Sequence, residues 1–368
     1  MDVAGWQAHG LYNPEAEDAN TRLALLRHLA DGGVTLDEMV DADTRGELVT
    51  ALADKLLRGM RTVSASQLAA RTGIPLDRVM RIWLAMGLPI DEPEAAVLPD
   101  DAEEVTSLFT EGAGTFGEAA TLGFSRVMGA AAAQVAEAAI ALFLGEVAVR
   151  LEAEHATELE RALVNEAAIG AFAGVGPAMA RLVREHAMIA IRRSRLAHSQ
   201  DPSAPRELEI AVCFVDLVGS TAWAQTLTLA EQAVALGRFE SAAWEEAVRR
   251  GGRLVKLIGD EAMIIAASVV DACAIATDVC ARVGADDGLP DARGAVGFGT
   301  VLFRDGDYFG PMVNVVARAV KAGAPGQVMV TAAVRDLVAG DERVHVGALA
   351  DHRLRGIDEP VALAPLVG

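Results

Sequence analysis

The sequence predicts an α+β protein: an all-helical N-terminal half, then a C-terminal half in which strands and helices alternate. Three observations lead there. Residues 13 to 190 repeat apolar side chains at helical spacing with few turn signals. The stretch SQDPSAPRE, residues 199 to 207, is polar and proline-containing and reads as a hinge. After it, short β-branched runs bounded by turn residues alternate with helical segments. The expected division is a helical module over residues 1–190, a linker over 191–206 and a sheet-containing domain over 207–368.

In the helical half, Asn13-Pro14 followed by Glu15 and Glu17 reads as a helix start with an acidic first turn. TRLALLRHLADGG has one apolar helical face and ends at Gly32-Gly33. Residues 64 to 89, SASQLAARTGIPLDRVMRIWLAMGLP, have the form of a helix-turn-helix, with Arg78 and Arg81 on the second helix. The next segment, DEPEAAVLPDDAEE, is acidic and would repel phosphate, so the pair is expected to be a packing unit rather than a DNA reader. The apolar stretch from Gly129 to Val149 contains Gln134, Glu137 and Glu146 and is Ala-rich, so a packed soluble helix is expected there, without stable membrane insertion. A last helix, about 178–198, runs to the hinge.

The C-terminal half reads as a strand at 209–216, a helix at 228–249, a hairpin of 252–258 with 261–267, a helix at 268–283 and a strand at 293–303. The order βαββαβ predicts a ferredoxin-like core, a sheet with helices on one face. Cys213 falls in a strand, and Cys273 and Cys280 on one helix; all three are expected to be core residues of a reduced, cytoplasmic protein. The start, MDVAGWQAHG, lacks a basic stretch followed by an apolar run, so no targeting segment is expected. A net charge of -20 argues against a nucleic-acid footprint and a polybasic membrane surface. It does not exclude an anionic nucleotide carried with divalent cations.

The chemistry concentrates in two runs. IAVCFV ends on Asp216 and turns through LVGST; RLVKLI ends on Gly259, Asp260 and Glu261. A lone aspartate there has an ordinary explanation as a turn or cap residue. Two carboxylates at adjacent strand ends suit divalent metal held against phosphate oxygens. Lys256 lies on the second run and Asp307 in RDGDYFGPMVN, while Asn314 and Arg318, four apart, share a helix face. Taken singly, each of these four reads as a surface or turn residue.

Together, FVDLVGST, KLIGDE and the spacing D-x6-N-x3-R resemble the class III nucleotidyl cyclases, and among them the bacterial adenylate cyclases. The resemblance covers roughly residues 207 to 368, and all six polar positions of a complete site are filled. The N-terminal half, by domain order and pattern, resembles the helical regulatory half of mycobacterial autoinhibited, acid-responsive cyclases. The resemblance implies a lyase making 3′,5′-cyclic AMP and pyrophosphate from ATP, with two Mg²⁺ or Mn²⁺ ions per site. Asp216, Asp260 and the backbone carbonyl of Leu217 would hold metal. Val218, Gly219, Ser220 and Thr221 would bind phosphates, although Ser220 stands where some relatives carry an aromatic residue. Lys256 and Asp307 would read adenine, donating and accepting where guanine requires the reverse. Asn314 would orient the ribose, and Arg318 would stabilise charge on the α-phosphate. Arg355, with Arg353 as the alternative, would meet the terminal phosphates. The family completes each site across a homodimer, metal aspartates from one chain and the remaining groups from its partner.

In that frame, residues 1–190 are expected to autoinhibit. Protonation of His186 and His198 on the last helix is one candidate input, and a lipid-like ligand between the Ala-rich helices another. Two other classes of function fit the sequence less well. A nucleotide-sensing DNA-binding regulator conflicts with the acidic charge. An inactive cyclase-like scaffold would lack one of the six polar positions. A diguanylate cyclase, whose loop reads GGDEF, would leave Asp307, Asn314 and Arg318 unexplained beside the IGDEA found here.

Overall fold

The computed structural model describes residues 3–59, 62–196 and 207–367. The chain forms two compact units, Met1–Arg184 and Glu185–Gly368.

The first unit is helical apart from a two-residue antiparallel bridge between Thr62–Val63 and Leu98–Pro99. Its helix Ala19–Asp31 begins later than Asn13-Pro14 suggests. The reason is local: the Asn13 side chain accepts the Glu15 N–H at 3.0 Å, which closes a turn instead of a helix. Capping boxes at Thr35/Glu38, Ser64/Gln67 and Thr157/Glu160 start three of the helices. One core gathers Trp6, Leu25, Leu26, Leu29, Met39, Leu48 and Leu52 with Ala162 of the helix Glu158–Phe172. Arg22 fastens this assembly, donating to Glu158 at 2.7 Å and pairing with Asp43.

A second core surrounds the helix-turn-helix Ala65–Thr72 and Leu76–Ala85, joined through Gly73 at φ 71. The pair packs as expected. Trp83 is buried and its Nε1 donates to Thr106 Oγ at 3.1 Å. Arg81 is held by Asp77 at 3.2 Å and Glu118 at 2.7 Å.

The long helix Glu118–Phe143 continues through a π-turn, Leu144–Ala148, to Ala153. The packing expected of the Gly129–Val149 stretch is absent among the described residues: Ile140, Leu142, Leu144 and Val149 are all more than half exposed. Alanine-rich helical periodicity looks the same whether or not a helix is covered. By length and composition the segments Glu118–Ala153 and Glu158–Arg195 are each apolar enough to cross a membrane, and 6% of each apolar window is buried. The last helix, Val175–Leu196, runs beyond residue 190 because no breaker precedes Pro202. The remaining linker residues, His198 among them, lie outside the described residues.

Elements of the second unit are labelled from its first strand: β1 (Glu207–Leu217), α1 (Ser220–Ala224), α2 (Leu229–Arg249), β2 (Arg253–Ile258), β3 (Glu261–Ala266), α3 (Val269–Gly284), β4 (Ala292–Arg304), β5 (Asp307–Phe309), α4 (Pro311–Ala319), β6 (Val328–Thr331), α5 (Ala332–Leu337), β7 (His345–Val346), β8 (Ala350–His352) and β9 (Val361–Val367). The sheet order is β8-β9-β6-β4-β1-β3-β2, with β5 on β4 and β7 on β9. Four consecutive strands, β4-β1-β3-β2, with β2 at the edge, pair antiparallel, the arrangement of the expected ferredoxin-like βαββαβ core.

Both faces of this sheet are covered. Cys213 and Val215 of β1 pack with Phe239 of α2 and Ile275 of α3, while Ile210, Val212 and Phe214 pack with Val313 and Val316 of α4. The expectation of helices on one face holds for α2 and α3, and α4 corrects it on the other. The signal was present: β1 reads as an unbroken apolar run, the pattern of a strand buried on both faces. Cys213, Cys273 and Cys280 are free and buried in the α2/α3 layer.

Candidate functional site

The site is built where the buried sheet ends. Along β1, residues alternate between the two cores, so Asp216 falls on the same face as Phe214, towards α4. It is 6% exposed. Directly across the neighbouring strands stand Glu261 of β3 and Arg293 of β4. Three charged residues therefore form one row over three strands, in the order Arg293, Asp216, Glu261.

Arg293 donates to Oδ2 of Asp216 from Nη2 at 3.1 Å and Nε at 3.4 Å. Burial raises the Asp216 carboxyl above its usual range; Arg293 opposes that rise and Asp260 adds to it. Burial likewise pushes the Glu261 carboxyl up to about 7, with Asp216 and Asp260 adding and Lys321 and Arg318 opposing. Glu261 Oε1 is buried and has no hydrogen-bond partner among the described residues.

Asp260 occupies the turn between β2 and β3, beside Gly259 at φ 66. Its carbonyl accepts the Leu217 N–H at 3.2 Å, which ties the two aspartate-bearing ends together through backbone. The Ser220 hydroxyl donates to Asp260 Oδ2. Gly219, at φ 68, turns the chain into the short helix α1. The Val218 N–H is taken by the Asp291 carbonyl at 2.7 Å, so the expectation that its amide meets phosphate is corrected.

The second cluster forms on the β2 edge and the β4–β5 hairpin. Lys256 and Asp307, 51 residues apart, make an ion pair. A bulge in β2 between Leu254 and Lys256 adjusts the strand there. The hairpin turn uses Asp305 and Gly306, both at positive φ, which suits a primed two-residue turn. Asp307 also accepts the Tyr308 N–H at 2.8 Å, and the Lys256 ammonium lies 6.0 Å from the Phe309 ring centroid. Asn314 and Arg318 project from the exposed face of α4, whose opposite face buries Val313, Val316 and Ala319. Arg355 is exposed in the turn after β8.

Three residues of interest escaped the sequence reading. Arg293 looked like an ordinary strand residue, and Lys321, one turn after Arg318, carried no motif. His28, whose Nε2 lies 2.7 Å from Glu166 Oε1, is the third; its carboxylate is 138 residues away, a contact no spacing reveals. His186 is exposed on its helix, and His198 lies outside the described residues.

The oxygen-only donor set suits a hard divalent ion. Among the described residues no three or more His, Cys, Asp or Glu side chains are grouped to hold an ion alone. The partnerless Glu261 oxygen also marks a place where positive charge would be stabilised.

A family model described as the adenylate cyclase regulatory domain matches residues 7–194. An uncharacterized protein of Mycobacterium tuberculosis strain H37Rv is 32% identical, covering 98% of this chain and 93% of its own. A Streptomyces coelicolor protein named adenylate cyclase is 27% identical over 84% of this chain and 81% of its own. A protein of M. tuberculosis strain CDC 1551 named pH-sensitive adenylate cyclase is 26% identical over 95% and 92%. Among solved structures, an adenylyl cyclase from P. aeruginosa superposes with a TM-score of 0.40 at 18% identity, covering 44% of this chain and 95% of that one. The chain belongs to the adenylate cyclase family whose N-terminal half is the adenylate cyclase regulatory domain.

Proposed function

We propose that this protein converts ATP to 3′,5′-cyclic AMP and pyrophosphate, at sites completed between two copies of the chain and controlled by its helical unit. The observation that supports this most is the pair of aspartates, Asp216 and Asp260, tied together through the Leu217 amide at the end of a buried sheet.

Mg²⁺ or Mn²⁺, held by Asp216, Asp260 and the Leu217 carbonyl, would acidify the ribose 3′-hydroxyl and offset triphosphate charge. The rest falls to the chain. The amides of Gly219, Ser220 and Thr221 bind phosphate oxygens. Lys256 donates to adenine N1 and Asp307 accepts from the exocyclic amine, so their mutual ion pair is exchanged for the base. Asn314 holds the ribose. Arg318, permanently charged and forked, meets charge that grows on the α-phosphate during the in-line displacement. Arg355 takes the terminal phosphates. The row of like charges at Asp216 and Glu261 favours a cation-bearing substrate over a bare triphosphate.

Because one chain carries both sets of groups, a two-fold dimer has two complete sites. A shift of about an ångström between the copies would cost on the order of 100-fold in rate, which gives the helical unit its means of control. Protonation, through His186 and His198, and a lipid-like ligand remain the two inputs proposed.

The test is cyclic AMP production from Mg-ATP and Mn-ATP by the full chain and by a chain starting at Arg206, across about pH 5.5 to 8, where imidazole titrates. Activity in the short chain with suppression in the long one at neutral pH supports catalysis and autoinhibition together. Equal activity keeps the cyclase and removes the inhibitor. No cyclic AMP from either chain, with dimers present, defeats the reading.

A further inference from the structure

Arg293 has no role in the proposed reaction, yet two of its nitrogens donate to a proposed metal carboxylate. It stands opposite Asp216 on β4, in register, on the same face of the sheet. Both of its donors, Nη2 at 3.1 Å and Nε at 3.4 Å, converge on one oxygen, Oδ2. No donor among the described residues takes Oδ1. The side chains are 20% and 9% exposed, so water competes weakly for the pair. Asp260 is treated in the same way, with Oδ2 held by the Ser220 hydroxyl. Each aspartate thus has one oxygen anchored by a neighbour and the other left over.

We infer that Arg293 is a positioning residue for the metal centre. It pins Oδ2 of Asp216 and fixes the carboxylate plane, which leaves Oδ1 without a protein donor and open to a cation. Its charge also offsets part of the repulsion among Asp216, Asp260 and Glu261, which must stay close before any ion arrives. The effect passes through Asp216, and Arg293 itself touches neither ion nor substrate. Removing a partner of this kind from a ligating group typically costs 10–100-fold in metal affinity. A purely structural strand pair would lower stability and leave metal affinity unchanged.

The inference rests on the cyclase reading of Asp216, and the experiment separates the two. Mn²⁺ is titrated into the full-length dimer with an unreactive ATP analogue, and free ion is read by electron paramagnetic resonance. Wild type, Asp216→Asn, Arg293→Gln and Arg293→Lys are compared, each with its thermal midpoint. The expected result is Mn²⁺ affinity about 10–100-fold weaker in Arg293→Gln, with a smaller loss in Arg293→Lys, which keeps the charge but not the fork. Affinity in Arg293→Gln within about twofold of wild type overturns the inference, whatever the thermal midpoint does. Should Arg293→Gln fail to fold, Arg293→Lys decides, and Mn²⁺ affinity equal to wild type overturns it. If Asp216→Asn binds Mn²⁺ as wild type does, the reading of Asp216 itself falls, and the inference with it.

Discussion

The two units of this chain treat apolar surface in opposite ways. In the catalytic unit the inner strands are covered on both faces, and Ile210, Ile264 and Ile265 are fully buried. In the helical unit two small cores close over the first hundred or so residues, while the long helix Glu118–Phe143 leaves Phe124, Ile140 and Leu142 at 56%, 55% and 68% exposure. A sheet buried on both faces is rigid along its strands, so charged groups at its end can be held in one row. Helices with bare apolar faces are held by few contacts of their own.

The largest test of this contrast is chemical. Asp260→Asn should reduce cyclic AMP formation on the order of a thousandfold, because it removes charge stabilisation worth several kcal/mol. The same substitution at Asp341, a half-buried partner of the exposed Arg343 in the same unit, should leave the rate within about twofold. Equal losses at both positions would mean that the sheet end is not privileged.

Next comes packing. Ile264→Ala, deep between β3 and the α2/α3 layer, should cost about 2–5 kcal/mol in urea unfolding of the catalytic unit. A loss under about 1 kcal/mol would show a sheet core looser than its burial implies.

How far these differences could be read from the sequence depends on what each residue does. Asp216 and Asp260 stood out only as a pair, because each follows an apolar run, while either alone reads as a turn or cap residue. Asn314 and Arg318 were legible as a four-residue step on one helix face. The Lys256–Asp307 ion pair was legible only as two members of a motif, since 51 residues separate them. Arg293 was not legible, because strand register alone brings it opposite Asp216 and register is set by the whole sheet. The bareness of the long helices was hidden for the opposite reason: alanine-rich periodicity states which face is apolar and not whether anything covers it.

Base recognition gives a smaller effect. Lys256→Glu combined with Asp307→Asn reverses both hydrogen-bond polarities. It should lower kcat/KM for ATP by about 10–100-fold and raise the GTP:ATP ratio. A parallel fall for both nucleotides would remove these two residues from base reading.

The thiols sharpen the contrast through pH. All three cysteines belong to the catalytic unit, and burial raises Cys273 and Cys280 to about 12. Above about pH 8.5 the unfolded thiols ionise while the folded ones keep their protons. The folded state then binds more protons, so stability falls as pH rises from about 8.5 towards 12. The catalytic unit should lose on the order of 1 kcal/mol per thiol by about pH 9.5. The helical unit, without cysteine, has no such contribution, and a disulfide reagent at neutral pH should find the thiols only after unfolding.

The smallest expected effect bears most directly on the comparison. Leu142→Ala removes a large apolar side chain, as Ile264→Ala does, but from a position 68% exposed. Little transfer free energy and no cavity are involved, and alanine is the better helix former. The stability of the helical unit should therefore change by less than about 0.5 kcal/mol. A loss of about 2 kcal/mol or more would mean that Leu142 is buried in the protein in solution. If that loss fell with dilution of the protein, the covering surface would be supplied by another copy of the chain, since only association is concentration-dependent.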